Sequence, residues 1–196
     1  MLDYKEIYDD EVLEEIAAFN VDRADLLFVE REQAIGETLQ ELKQSRCIGI
    51  YEAGQLIGSI VMLLNAPYPI LHIIPKESAE AFYTRENVKE EDCVQMFYAV
   101  FPERSVQERL EFYHKVLQEM IAPGKEHILI FYTDDRYKRH RLYQRIKPEI
   151  IAQREYPGFT KRLVFARRSY LVKELERVEH QLHQRRNYRL PELQSL

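Results

Sequence analysis

Ser105-Val106-Gln107-Glu108 carries the most specific local chemistry in the chain. A serine followed three residues later by a glutamate is a capping box: the hydroxyl accepts from the third helical amide, and the carboxylate reaches back to the serine's own N–H. The helix opened this way points its positive end and its orphan amides outward, a combination that favours an anion. Arg104 and Arg109 flank the box and either touch such an anion or lie solvated on the surface. Glu90, Glu91 and Asp92 precede an apolar strand. A carboxylate there acts as a general base, directly or through water, or the three form a solvated loop, and no one of them is singled out. The six histidines show no ligand spacing. His180 and His183, three apart, lack a partnering motif, so no metal is expected. Gly-x-Ser-x-Gly, a Walker loop and a Cys–His pattern are all absent, which removes the common signatures of hydrolysis and nucleotide binding.

Charge is unevenly spread around a net of −5. Residues 1–15 hold Asp3, Glu6, Asp9, Asp10, Glu11, Glu14 and Glu15 against Lys5. Residues 136–168 hold eleven bases against Glu149 and Glu155. Such asymmetry points to an anionic ligand or partner on the C-terminal side, or to two regions that face each other. The stretch Arg136-Tyr137-Lys138-Arg139-His140-Arg141 interleaves bases with aromatic rings, as nucleic-acid binders do, but a pI of about 5.8 argues against that partner. Cys47 and Cys93 sit far apart in probable strands and fit reduced thiols better than a disulfide. The N-terminal residues lack a signal-peptide pattern, and the expectation is a cytoplasmic protein.

The elements that must position these residues follow from periodicity. At 45% hydrophobic and 31% charged, 196 residues suit one sizeable core. Residues 3–8 suit a first strand. A helix capped by Asp9 or Asp10 carries Val12, Leu13, Ile16 and Phe19 on one face. A second helical stretch, 22–42, carries Leu26, Leu27, Ile35, Leu39 and Leu42, with Gly36 expected to break or bend it. Residues 47–52 and 55–64 around Ala53-Gly54 read as a hairpin. Pro67, Pro69 and Pro75 exclude long regular structure from the next segment, although 78–83 suits a helical turn. Residues 93–101 form a strand stopped by Pro102. The capped helix carries Leu110, Tyr113, Val116, Leu117, Met120 and Ile121 and ends at Pro123-Gly124. Strand 127–132, helix 136–146 and strands 149–155 and 161–166 follow. Residues 169–186 place Leu171, Leu175, Val178 and Leu182 in a thin apolar seam, which lies back on its own domain or pairs with a second subunit as a homodimer. The reading is one domain over 1–167 with a C-terminal helix and tail over 168–196.

Strand, two helices, hairpin, strand, helix, strand, helix, two strands is an order that resembles the GCN5-related N-acetyltransferases over roughly residues 1–167. The resemblance implies an α/β (α+β) fold with a mixed, mostly antiparallel sheet flanked by helices. It also implies that Val100, Arg104, Ser105, Val106, Gln107, Glu108 and Arg109 hold the phosphates of an acyl-CoA. Leu142-Tyr143-Gln144-Arg145-Ile146 is similar to the Leu-Tyr-x-x-Leu ending of the family's last helix, which implies Tyr143 as the general acid that protonates the leaving thiolate; the alternative is a packed aromatic, one of thirteen tyrosines. One departure is plain: no glycine stands between Pro102 and Ile121, where the family's phosphate loop is glycine-rich. Residues 63–71 and 94–100 resemble in layout the acyl-homoserine-lactone and N-acyl amino acid synthases, which implies an acyl carrier protein as a further donor. Met62, Gln95 and Phe97 or Tyr98 replace the charged residues usual there. The function implied is acyl transfer from acyl-CoA or acyl carrier protein thioester to an amine of a small molecule or protein. The missing glycines favour instead a non-catalytic binding or assembly module of the same fold.

Overall fold

The computed structural model describes residues 2–23, 29–64, 76–101, 104–133, 145–156 and 159–189. Among them a seven-stranded sheet runs in the order β1-β2-β3-β4-β5-β7-β6. The strands are β1 (Asp3–Ile7), β2 (Arg46–Glu52), β3 (Gln55–Leu64), β4 (Cys93–Val100), β5 (His127–Thr133), β6 (Glu149–Tyr156) and β7 (Phe159–Arg167). The helices are α1 (Asp10–Asp22), α2 (Arg31–Lys43), α3 (Lys76–Glu86), α4 (Val106–Ile121) and α5 (Arg168–Arg189). Every pairing is antiparallel except β4 with β5. No helix among the described residues is long and apolar enough to cross a membrane.

Strict alternation along the strands builds two apolar layers, because successive side chains leave a strand on opposite faces. Ile48, Ile60, Met62, Val94, Met96, Ile128, Ile130 and Val164 point to one face and pack under α4 and α5. Cys47, Val61 and Leu63 point to the other, under α1, and Leu129, Leu163 and Phe165 continue that face under α3. A chain with both sheet faces covered needs apolar residues at consecutive strand positions, which explains the nearly unbroken runs in β3 and β5.

Most expected elements are present within a residue or two. Asp9 is the cap of α1, accepting from the amides of Glu11 and Val12 at 2.9 and 3.2 Å. The hairpin turns at Ala53-Gly54, both with positive φ (50° and 82°). The expected helix 22–42 is corrected: α1 ends at Asp22, and α2 begins only at Arg31, whose guanidinium grips Asp22 at 2.7 and 2.9 Å across the break. Gly36 neither breaks nor bends α2. It lies on the exposed face, while Ala34, Thr38 and Leu42 bury the opposite one and offset its cost of about 1 kcal/mol. Leu26 and Leu27 fall outside the described residues, as does most of the expected helix 136–146.

The seam on the last helix finds its cover within the chain. Leu171 and Val178 are fully buried, Leu182 nearly so, and Leu175 packs against the same cluster as α4's Val116, Leu117 and Met120. Glu174, buried between them, accepts from Arg177 at 2.6 Å and from the Tyr113 hydroxyl at 3.3 Å. A second subunit would therefore need a different face of this helix.

Candidate active site

The parallel β4–β5 ladder runs from Cys93↔His127 to Met96↔Ile130 and stops there, although β4 continues to Val100 and β5 to Thr133. The cause lies on the other side of β4. Val61 pairs with Tyr98 and Met62 with Met96, so Phe97 is an extra residue, a bulge that bends β4 away from β5. The strands fork, and the β5-facing backbone groups of Phe97–Val100 have no strand partner among the described residues. Gly58 holds the far end of β4 in place: a Cβ there would lie 2.7 Å from the Val100 carbonyl oxygen, so only glycine lets β3 pass this close.

From the fork the chain passes through Phe101, whose ring stacks on Phe112 of α4 at 4.6 Å and 10°. Stacking of this kind ties the connection to the helix it feeds. Ser105 then caps α4 as expected: its hydroxyl accepts from the Glu108 amide at 3.3 Å, and Glu108 accepts from the Ser105 amide at 3.1 Å and hydroxyl at 2.7 Å. These bonds to Ser105 hold the Glu108 carboxyl below the usual carboxylate range. Arg104 donates to Glu52 at 2.8 Å and lies 3.9 Å from Glu108. Gln107 donates to Glu111 at 2.7 Å, Val106 is half exposed, and Arg109 is exposed.

The structure thus brings Val100, Arg104, Ser105, Val106, Gln107, Glu108 and Arg109 together at one end of the fork. It also supplies a residue that sequence spacing gave no sign of, Glu52, which neutralises Arg104 from the β2–β3 hairpin. The helix start is partly self-satisfied. Only the amides of Val106 and Gln107, the first two helical residues, stay outside both the capping box and the intrahelical ladder. Glu90–Asp92 form a 3₁₀ turn at the opposite end of β4 from the fork. Asp92 precedes the last rung at Met96 by roughly 13 Å of strand, too far to act there directly. Tyr143 lies outside the described residues. Its neighbour Ile146 is buried in the cluster under α4 and α5.

No family model matches this sequence, and no curated protein does. Solved structures do. An N-acyl amino acid synthase, FeeM, from uncultured soil microbes aligns with a TM-score of 0.55 at 11% identity, over 87% of this chain and 93% of its own. An N-acetyltransferase from Staphylococcus aureus aligns at 0.52 and 11%, over 88% and 99%. A protein from Salmonella typhimurium ascribed to the acetyltransferases, solved with its cofactor acetyl-CoA, aligns at 0.50 and 11%, over 86% and 94%. At such identities the likeness is one of fold.

Proposed function

On a fold shared with the GCN5-related N-acetyltransferases, we propose that this chain moves an acyl group from a thioester, acyl-CoA or acylated carrier protein, to an amine acceptor. The observation that carries the reading is the fork: a bulged β4 that leaves β5 just before feeding the N-terminus of α4. A slot edged by unpaired backbone N–H and C=O groups suits the amide-bearing arm common to both donors, which lies in it like a short added strand. The acyl carbonyl then sits against backbone donors that polarise it. The acceptor nitrogen attacks the carbonyl carbon, the C–N bond forms, the C–S bond breaks, Tyr143 protonates the departing sulfur, and the proton that nitrogen sheds passes through solvent to restore the Tyr143 hydroxyl. The Val106 and Gln107 amides, with Arg109, face the donor phosphate.

Amide hydrogen exchange tests the donor site. Acyl-CoA or an acylated carrier protein is expected to slow exchange across Val100–Arg109. Titration with both donors and no protection in that window would favour the second reading, a non-catalytic binding module. The observation behind that alternative is Glu108, whose carboxylate occupies the Ser105 amide and sets a negative charge beside the free amides of Val106 and Gln107.

Glu108 also yields a graded result. Glu108→Gln keeps an oxygen that reaches Ser105 but removes a negative charge from the phosphate approach. CoA affinity is expected to rise about threefold per phosphate charge at about 7 Å in water, and the gain is expected to fade with added salt. Calorimetric titration at two salt concentrations reads this directly. Affinity that is unchanged or lower would place the phosphates away from α4.

A further inference from the structure

Gln95 stands one residue before the last rung of the β4–β5 ladder, at 0% exposure, and neither its Nε2 nor its Oε1 has a hydrogen-bond partner among the described residues. Its register neighbours on β3 and β5 are Leu63 and Leu129, both buried. Cys93, two residues back on the same strand face, gives its thiol to the Lys89 carbonyl. A carboxamide in that setting loses its bonds to water and gains none, a cost that methionine of the same shape would avoid. A second group of the same kind lies on this sheet face. Asn20 of α1, 3% exposed, accepts from the Ser59 hydroxyl at 2.6 Å through Oδ1, while its Nδ2 has no partner among the described residues. Gln95 thus lies beside the fork with unused hydrogen-bonding capacity, while Asn20 lies on Ser59, opposite Val100 at the far end of β4.

We infer that Gln95 is the specificity-determining residue for the acyl acceptor, and that this acceptor is a nucleophile uncharged at neutral pH, of the arylamine class, not an alkylammonium. The inference rests on the acyl-transfer reading above. A carboxamide hydrogen-bonds but neither neutralises a cation nor takes its proton. An ammonium desolvated between Leu63 and Leu129, with no carboxylate bonded to Gln95, would carry an uncompensated charge. An uncharged amine arrives with its lone pair free. One N–H donates to Oε1, which fixes the direction of attack. The nitrogen bonds to the thioester carbon, the C–S bond breaks, and the proton shed by nitrogen ends on sulfur, giving an amide and a thiol.

The wild-type chain, Gln95→Met and Gln95→Glu are compared with acetyl-CoA as donor and aniline or benzylamine as acceptor, following thiol release at pH 7. The wild-type chain is expected to give aniline at least a 10-fold larger kcat/KM. Gln95→Met is expected to raise KM for aniline about 10-fold, the scale of one lost buried hydrogen bond, with kcat and acetyl-CoA binding little changed. Its Tm is expected to rise by roughly 3–6 °C, because an unsatisfied polar group has gone. Gln95→Glu is expected to shift preference toward benzylamine, whose charge it pairs. A lower Tm for Gln95→Met would make the amide a structural group and overturn the inference. So would a wild-type preference for benzylamine, or acylation of neither amine by protein that binds acetyl-CoA. Wild-type protein that binds no thioester would sink the acyl-transfer reading itself, and the Tm comparison would still decide whether Gln95 is held for a guest.

Discussion

Replacing Leu171 and Val178 together by Asp is expected to abolish cooperative thermal unfolding, and not to give a folded species of lower mass than the wild type. Both side chains are fully buried in the apolar layer that α4 and α5 form with the sheet. Each carboxylate would be left without solvent or partner, at a cost of several kcal/mol, against a total stability of about 5–15 kcal/mol for a domain. A milder variant keeps the result readable. Val178→Ala removes only two methyl groups and is expected to lower Tm by about 5 °C. Light scattering and a melt on the same sample decide the matter. A folded Asp variant of half the wild-type mass would mean that the seam serves a second subunit.

Legibility in the sequence followed the range of the interaction. The Asp9 and Ser105 caps, the Ala53-Gly54 hairpin and the α4 stripe depend on residues within a few positions of each other, and all are present. What escaped depends on distant partners. The break between α1 and α2 is closed by Arg31 reaching Asp22, and Gly36 is tolerated because the opposite face of α2 is buried. The site divides the same way. Ser105 and Glu108 bond as their spacing required, yet Arg104 spends its charge on Glu52, a residue of another hairpin. The fork arises from a one-residue mismatch between β3 and β4, and no periodicity within β4 announces it. Gln95 is visible in the sequence as an uncharged residue in an apolar strand, but only its three-dimensional surroundings show that both ends of its amide lack partners.

Tyr143→Phe carries the largest expected effect on turnover. It keeps the ring and deletes the proton. If Tyr143 delivers that proton to the departing sulfur, kcat is expected to fall on the order of 10²-fold, the scale of one positioned general acid. Donor affinity and Tm are expected to stay close to wild type, because a phenyl ring fills the same volume. A thioester with a more acidic thiol needs less help in leaving, so the deficit is expected to shrink with such a donor. An unchanged kcat with every donor would reduce Tyr143 to a packing role and leave the leaving group to be protonated by water.

The lone parallel pairing also divides the chain's assembly. β1 to β4 join one another antiparallel in sequence order, and β7 joins β5 and β6 antiparallel on the other side of the parallel pair. Among the described residues the halves are joined by the short rungs from Cys93↔His127 to Met96↔Ile130, by the apolar layer under α4 and α5, and by α3, which packs on Leu129, Leu163 and Phe165. The slot proposed for the donor is the open end of the seam where the two halves of the sheet meet. A molecule lodged there would act as a mortar between them, and by mass action the survival of the whole fold would rise with its concentration.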